Sequence, residues 1–337
     1  MKKIFNLIAS FVLLAGFSAC NKDGSDKPGL PPAPVPTVNY KGLTFISSGK
    51  STVCLAKVGA PDEITLEYST DESQWNPYTI GEKISLADGS FLLFRAGEQK
   101  NLTFSKGSDS YYHFEISGPV TAQGNIMSLL DRDFSTPLST NAFFALFEGC
   151  TSLLSAPELP ATTMEQGCYF RMFAECTGLK SAPELPAKEL AYNCYGWMFK
   201  GCSALTSAPE LPATEMVSYC YNNMFANCTS LKFAPELPAT RLDMGCYHCM
   251  FEGCTSLTSA PELPATELVS NCYEFMYKDC RNLRYVIGLF TTEPSEKTTK
   301  DWLSGVAASG TFIKSKKATW DVTSAHGVPE GWKIETW

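Results

Sequence analysis

Between residues 142 and 290 apolar and polar positions recur with one fixed period, and that period takes precedence over local pattern. The string Ala-Pro-Glu-Leu-Pro-Ala begins at Ala156, Ala182, Ala208, Ala234 and Ala260, each 26 residues after the last. Two cysteine series keep the same step: Cys150, Cys176, Cys202, Cys228, Cys254 and Cys280, and Cys168, Cys194, Cys220, Cys246 and Cys272. Met172, Met198, Met224, Met250 and Met276 do so as well. Within one unit Leu257, Ala260 and Leu263 have the spacing of a short extended segment. Leu268, Cys272, Met276 and Tyr277 follow at intervals of 4, 4 and 1, which predicts a helical or 3-10 face. Such a unit has one apolar flank that it cannot bury alone, so coil must stack on coil. The expected fold class is an α/β repeat protein with five full copies. Half-units flank them: Ala142–Cys150, with Ala142 where Cys is expected, and Arg281–Phe290, with Ile287 and Phe290 where the prolines stood.

Outside the array the pattern changes. Residues 39–125 hold short alternating runs (Leu43–Ile46, Ile64–Tyr68, Lys83–Leu86, Phe91–Phe94, Tyr112–Ile116), and Asp88-Gly89 reads as a tight hairpin. They predict an all-β, sandwich-like domain. Asn125–Asp133 is expected to form a short helix leading into the array, which is assigned residues 126–290. Residues 291–337 carry Trp302, Trp320, Trp332 and Trp337. They read as a small C-terminal cap over the last coil, with stacking on sugars as the alternative.

The Cys-Thr-Ser-Leu opening, the Glu-Leu-Pro turn and the Cys-Tyr-x-x-Met-Phe segment resemble the BspA-type leucine-rich repeat of surface proteins from Gram-negative anaerobes. The likeness covers residue 142 to about 290. It implies a curved, right-handed leucine-rich-repeat solenoid and, from characterised members, attachment to host matrix proteins or other cells. It implies no catalytic residue.

The N-terminus changes the picture of where such a chain works. Lys2-Lys3, an apolar run from Ile4 to Phe17 and Ser18-Ala19 have the layout of a secretory signal over residues 1–19. Cys20 directly after them resembles the lipidated residue of a bacterial lipoprotein, and Asn21-Lys22-Asp23 looks like the short charged tag that sends some lipoproteins of Gram-negative anaerobes to the outer face. An outward-facing anchor in the outer membrane is therefore expected, with an ordinary cleaved signal or a short membrane anchor as the alternative. Residues 20–38 contain five prolines (Pro28, Pro31, Pro32, Pro34, Pro36) and read as a polyproline-like spacer, extended by about 3.1 Å per residue. Net charge is −8, and losing Lys2 and Lys3 leaves 25 basic against 35 acidic residues, a balance that argues against nucleic acid.

Candidate chemistry is sparse. Three scattered histidines (His113, His248, His326) carry no metalloprotease, nucleophile-elbow or phosphate-loop motif, so no catalytic residue, metal or cofactor is expected. The cysteine ladders read as buried free thiols, with a Cys168–Cys176 disulfide as the alternative. Cys246-Tyr-His248-Cys249 looks like a fragment of a zinc site, but His248 and Cys249 stand at positions that vary between copies and are expected to be exposed. Glu158, Glu184, Glu210, Glu236 and Glu262 form a like-charged ladder. Solvation and neighbouring Lys180, Lys232 and Arg284 offset it, or a row of cations does. Residues that vary while the frame stays fixed are the candidate binding face: Phe170, Arg171, Tyr192, Trp197, Asn222, Asn223, His248 and Phe275. The chain is therefore expected to be a non-enzymatic adhesion module for a host extracellular or cell-surface protein. Glycan capture for nutrient uptake and a purely architectural role are the alternatives.

Overall fold

In residues 43–123 alternate side chains turn inward, and the chain pairs as nine strands: β1 (Thr44–Ser47), β2 (Ser51–Val58), β3 (Leu66–Ser69), β4 (Asn76–Tyr78), β5 (Ile84–Leu86), β6 (Phe91–Ala96), β7 (Ser105–Gly107), β8 (Ser110–Ser117) and β9 (Val120–Gln123). The computed structural model describes residues 41–99, 102–320 and 326–337. The signal, Cys20 and the proline-rich spacer lie outside the described residues. The first sheet contains β9-β1-β6-β3-β4, and the second runs β5-β2-β8-β7. Phe45 of β1 and Phe94 of β6 meet Phe114 of β8 with ring centroids 5.0 and 5.6 Å apart, so aromatic edges from both sheets fill the space between them. Each such buried ring contributes about 1.5–3 kcal/mol. This arrangement is compatible with the expected sandwich. The Asp88-Gly89 hairpin does not form: β5 pairs with β2 and β6 with β1 and β3, so this turn crosses between sheets. A 3-10 turn, Ile126–Leu129, follows β9, with the Asn125 side chain accepting from the Met127 amide.

The α/β leucine-rich-repeat solenoid expected from the repeats is overturned. Among the described residues there is no α-helix, only that four-residue 3-10 turn, and the regular structure is β: β10 (Leu153–Ser155), β11 (Ser259–Leu263), β12 (Tyr285–Gly288), β13 (Thr311–Lys314) and β14 (Lys333–Thr336) complete fourteen strands. The cause is local. Where a helix was read, every fourth residue has positive φ: Asn271 (56°), Phe275 (55°) and Asp279 (60°) in one unit, and Asn193 (57°), Trp197 (59°) and Gly201 (74°) in another. A right-handed helix cannot contain such residues. The apolar residue one place later, Cys272, Met276 or Cys280, is buried. A string of four-residue turns therefore produces the same apolar spacing as a helix face.

Hydrogen bonding shows why the turns win. Even-numbered residues donate back three positions, as Cys272 to Val269, Met276 to Tyr273 and Cys280 to Tyr277 do. Odd-numbered residues donate to the next unit: Tyr273 to Thr298, Phe275 to Lys300 and Tyr277 to Trp302, at 3.1, 2.9 and 2.9 Å. Every amide in the segment finds a partner, which removes the need for helical bonds. Two aromatic columns follow this register. Phe143, Tyr169, Tyr195, Tyr221, Tyr247 and Tyr273 form one and Phe147, Phe173, Phe199, Phe225, Phe251 and Tyr277 the other, with successive centroids 5.3–6.1 Å apart.

The Pro-Glu-Leu-Pro corners behave oppositely. Two missing amides per copy leave only isolated bridges, such as Ser207 with Phe233, between neighbouring copies. Where Ile287 and Phe290 replace the prolines, a parallel sheet β11-β12-β13-β14 forms. At the other end β10 joins β9 in parallel, so the first sheet continues into the repeat. Hydrogen bonds also run past residue 290 without a break: residues 298–304 receive the bonds that residues 272–278 receive from the preceding unit.

Candidate binding face

The turn segments bring most of the candidate residues into one row. Arg171, Trp197, Asn223, Cys249 and Phe275 occupy the same left-handed position in successive units, with φ of 53–59°. Each donates its amide to the carbonyl of a neighbouring-row residue one unit on: Arg171 to Gly196, Trp197 to Asn222, Asn223 to His248 and Cys249 to Glu274, at 2.8–2.9 Å. In this conformation a residue costs about 1–2 kcal/mol unless its surroundings hold it. Here the inter-unit bonds hold it.

The row has two chemically distinct ends. At the first, Phe144 stacks on Phe170 (5.5 Å), Phe170 leans on Trp197 (6.3 Å), and Lys200 Nζ lies 3.9 Å from the centre of the Trp197 ring. Arg171 pairs with Glu148 and stands 5.8 Å from the same ring. Tyr192, 46% exposed, sits apart from the row and meets Tyr219 edge-on at 6.1 Å. At the second end Asn223 Nδ2 donates to Asn222 Oδ1 (2.6 Å), which also contacts His248 Nδ1 (3.1 Å). His248 then meets Phe275 edge-on, with Lys278 5.0 Å over that ring.

Two expectations fail here. Cys249 is only 6% exposed and Asn223 is buried as well, whereas Arg171, Trp197 and Phe275 in the same left-handed position are half-buried. Cys249 Sγ is 3.8 Å from His248 Nε2, so a thiol, an imidazole and the Asn222 amide stand in line like a nucleophilic relay. The electrostatics oppose that chemistry. Burial, and then Glu252, push the Cys249 thiol well above its ordinary value, so little thiolate forms. Burial holds the His248 imidazolium below its usual range of about 6.5, and Glu274 and Glu252 only partly offset this. The 3.6 Å contact of His248 with Glu274 is accordingly a contact of neutral imidazole at pH 7, not a full ion pair.

The glutamates of the corners are all exposed. Glu236 and Glu262 line a cleft of about 600 Å³ between adjacent corners, and Glu210 and Glu236 line one of about 350 Å³. Among the described residues no group of three or more His, Cys, Asp or Glu is disposed to hold a metal ion. The thirteen described cysteines are free and buried, which removes the Cys168–Cys176 disulfide. One ladder also donates: Cys176, Cys202, Cys228 and Cys254 reach the carbonyls of Phe147, Phe173, Phe199 and Phe225 at 3.0–3.1 Å. Three of the four C-terminal tryptophans are core residues. Trp302, Trp320 and Trp332 donate their indole N–H to Gly327, Phe290 and Ala307, and only Trp337 is exposed.

Among the described residues no helix is long and apolar enough to cross a membrane. Sequence reasoning missed a cluster in the first sheet, Trp75, Arg95 and Arg132 around Glu67, because its members are far apart in the chain. No family model, no curated protein and no solved structure matches the chain, so the resemblance to BspA-type repeats rests on the repeat residues alone.

Proposed function

We propose that this chain is a non-enzymatic binding module that engages a protein on a host or neighbouring cell through the row from Phe170 to Phe275. The observation that carries this reading is the contrast within each unit. Columns of Cys, Met, Phe and Tyr repeat almost unchanged and are buried, while the adjoining row changes at every step and leaves Phe170, Arg171, Trp197, His248 and Phe275 half-buried. A fixed frame with a variable aromatic and cationic edge is the usual composition of a protein-recognition surface. The buried, undissociated Cys249 thiol supports a role without nucleophilic catalysis. The layout of residues 1–20 supports display at the outer membrane through a lipid on Cys20.

The test is capture of the full chain on immobilised matrix proteins and on whole cells, comparing wild type with Trp197→Ala and with Arg171→Ala. Loss of at least about tenfold in affinity with unchanged thermal unfolding is the expected outcome for an anchoring aromatic residue. Unchanged binding by both variants transfers the function elsewhere on the chain. Cys20→Ala, scored by incorporation of labelled fatty acid and by release from the cell, tests the anchor separately.

A further inference from the structure

We propose that the first sheet carries a second, separate ligand site, a pocket of about 340 Å³ for a single acidic sugar residue: a monosaccharide-sized ring bearing a carboxylate. It is independent of the row on the repeat units. Its aromatic lining is Trp75, Phe94 and Phe134, and its cationic lining is Lys41, Arg95 and Arg132. Arg95 lies 3.8 Å over the Trp75 ring, and Arg95 and Arg132 share the carboxylate of Glu67 at 2.7 and 2.8 Å. One carboxylate cannot neutralise two guanidinium groups. The charged side chains that line the pocket itself are Lys41, Arg95 and Arg132 against the single carboxylate of Glu72, with Glu67 behind the two guanidinium groups. An excess of planar donors beside an aromatic ring is the chemistry that receives a carboxylate on a flat, partly apolar body.

The pocket is also built in advance of any ligand. Asp71 accepts the amides of Ser73 and Gln74 (2.9 and 2.8 Å), fixing the turn that carries Glu72 and Trp75. Asp131, buried, accepts from Ser135 Oγ (2.6 Å), Thr136 Oγ1 (3.2 Å) and the Asp133 amide (3.1 Å), fixing the loop that carries Arg132 and Phe134. Both loops hold a side-chain-bearing residue in the left-handed region, Glu72 at φ 64° and Phe134 at φ 57°. Non-glycine residues in that conformation concentrate where a surface is shaped for a ligand. Glu72 decides between a sugar and the carboxylate end of an apolar peptide. It supplies an acceptor for ring hydroxyls, for which an apolar side chain has no use. The size fits one ring, at the lower limit of small-molecule sites.

The experiment is calorimetric titration of the full chain with glucuronic acid, with a glucuronate-terminated disaccharide, with glucose and with N-acetylphenylalanine. Wild type should bind glucuronate at least about tenfold more tightly than glucose, as expected when a charge-assisted hydrogen bond is at stake. Lys41→Met and Trp75→Phe should each weaken it by about tenfold while leaving the unfolding temperature unchanged. Arg132→Met should do the same, and Lys41→Met, at an exposed position, guards against a variant that fails to fold. Binding of the disaccharide as tightly as the free acid identifies chain ends as the source. Binding of the free acid alone identifies a soluble sugar, and either result supports the site. Glucose binding as tightly as glucuronate, indifference to all three substitutions, or tighter binding of N-acetylphenylalanine overturns it.

Discussion

At the residue scale the repeat is governed by one backbone choice, the left-handed residue at every fourth position. Its third occurrence in each unit alternates along the stack: Glu175, Gly201, Asn227, Gly253, Asp279, Gly305. The alternation has a steric cause. A Cβ on Gly201 would collide with the Glu175 carboxylate, one on Gly253 with the Asn227 amide and one on Gly305 with the Asp279 carboxylate. Each polar side chain thus leans over the glycine one unit on. Gly253→Ala should therefore lose at least about 1 kcal/mol in urea unfolding, from the φ of 72° alone. An unchanged midpoint would remove this account of the alternation. His248 gives a pH test. Its folded value lies below 6.5, so the neutral ring is favoured in the folded state; the stabilisation is present above pH 6.5 and is lost as pH falls through the folded value. The stability of the wild type should fall from pH 6.5 towards pH 5, and His248→Gln should flatten that slope.

At the element scale the inward residues were legible and their backbone was not. Leu268, Cys272 and Met276 do face the core, as their spacing predicted, yet a spacing of four fits a helix and a string of turns alike. The corners were no more legible: a short extended segment was expected in each unit, but between the middle copies only isolated bridges form, and the loss of the prolines at Ile287 and Phe290 coincides with the start of the parallel sheet. Restoring one tests the cause. In Ile287→Pro an amide is lost from β12, between β11 and β13, which should cost about 1–3 kcal/mol and lower the unfolding temperature. The continuation beyond residue 290 escaped notice because Trp302-Leu303 stands where Met276-Tyr277 would repeat, so its composition differs although its bonds do not.

At the scale of the whole molecule, one apolar core joins the sheets of residues 43–123 to the repeat units and to Trp302, Trp320 and Trp332. The thiols are part of it. Burial raises Cys194 to about 12 and Cys272 to about 11 from an ordinary 9.0, so the protonated thiols stabilise the fold below pH 9 and that contribution is lost as pH rises through the folded values. Native protein at pH 8 should leave the thirteen described thiols unlabelled by iodoacetamide, and urea should expose all of them, as counted by intact mass. Labelling of several thiols without denaturant would contradict their place in the core. The sequence by itself determined the period, the buried columns and the row that varies between units, because repetition of residue type forces equivalent residues into equivalent surroundings. Only the tertiary structure decided that the fourfold spacing folds as turns, since that choice depends on carbonyls offered by the next unit. It alone brought Lys41, Trp75, Arg95, Arg132 and Phe134 around one pocket, because no local pattern relates residues that strand pairing and two aspartate-fixed loops bring together.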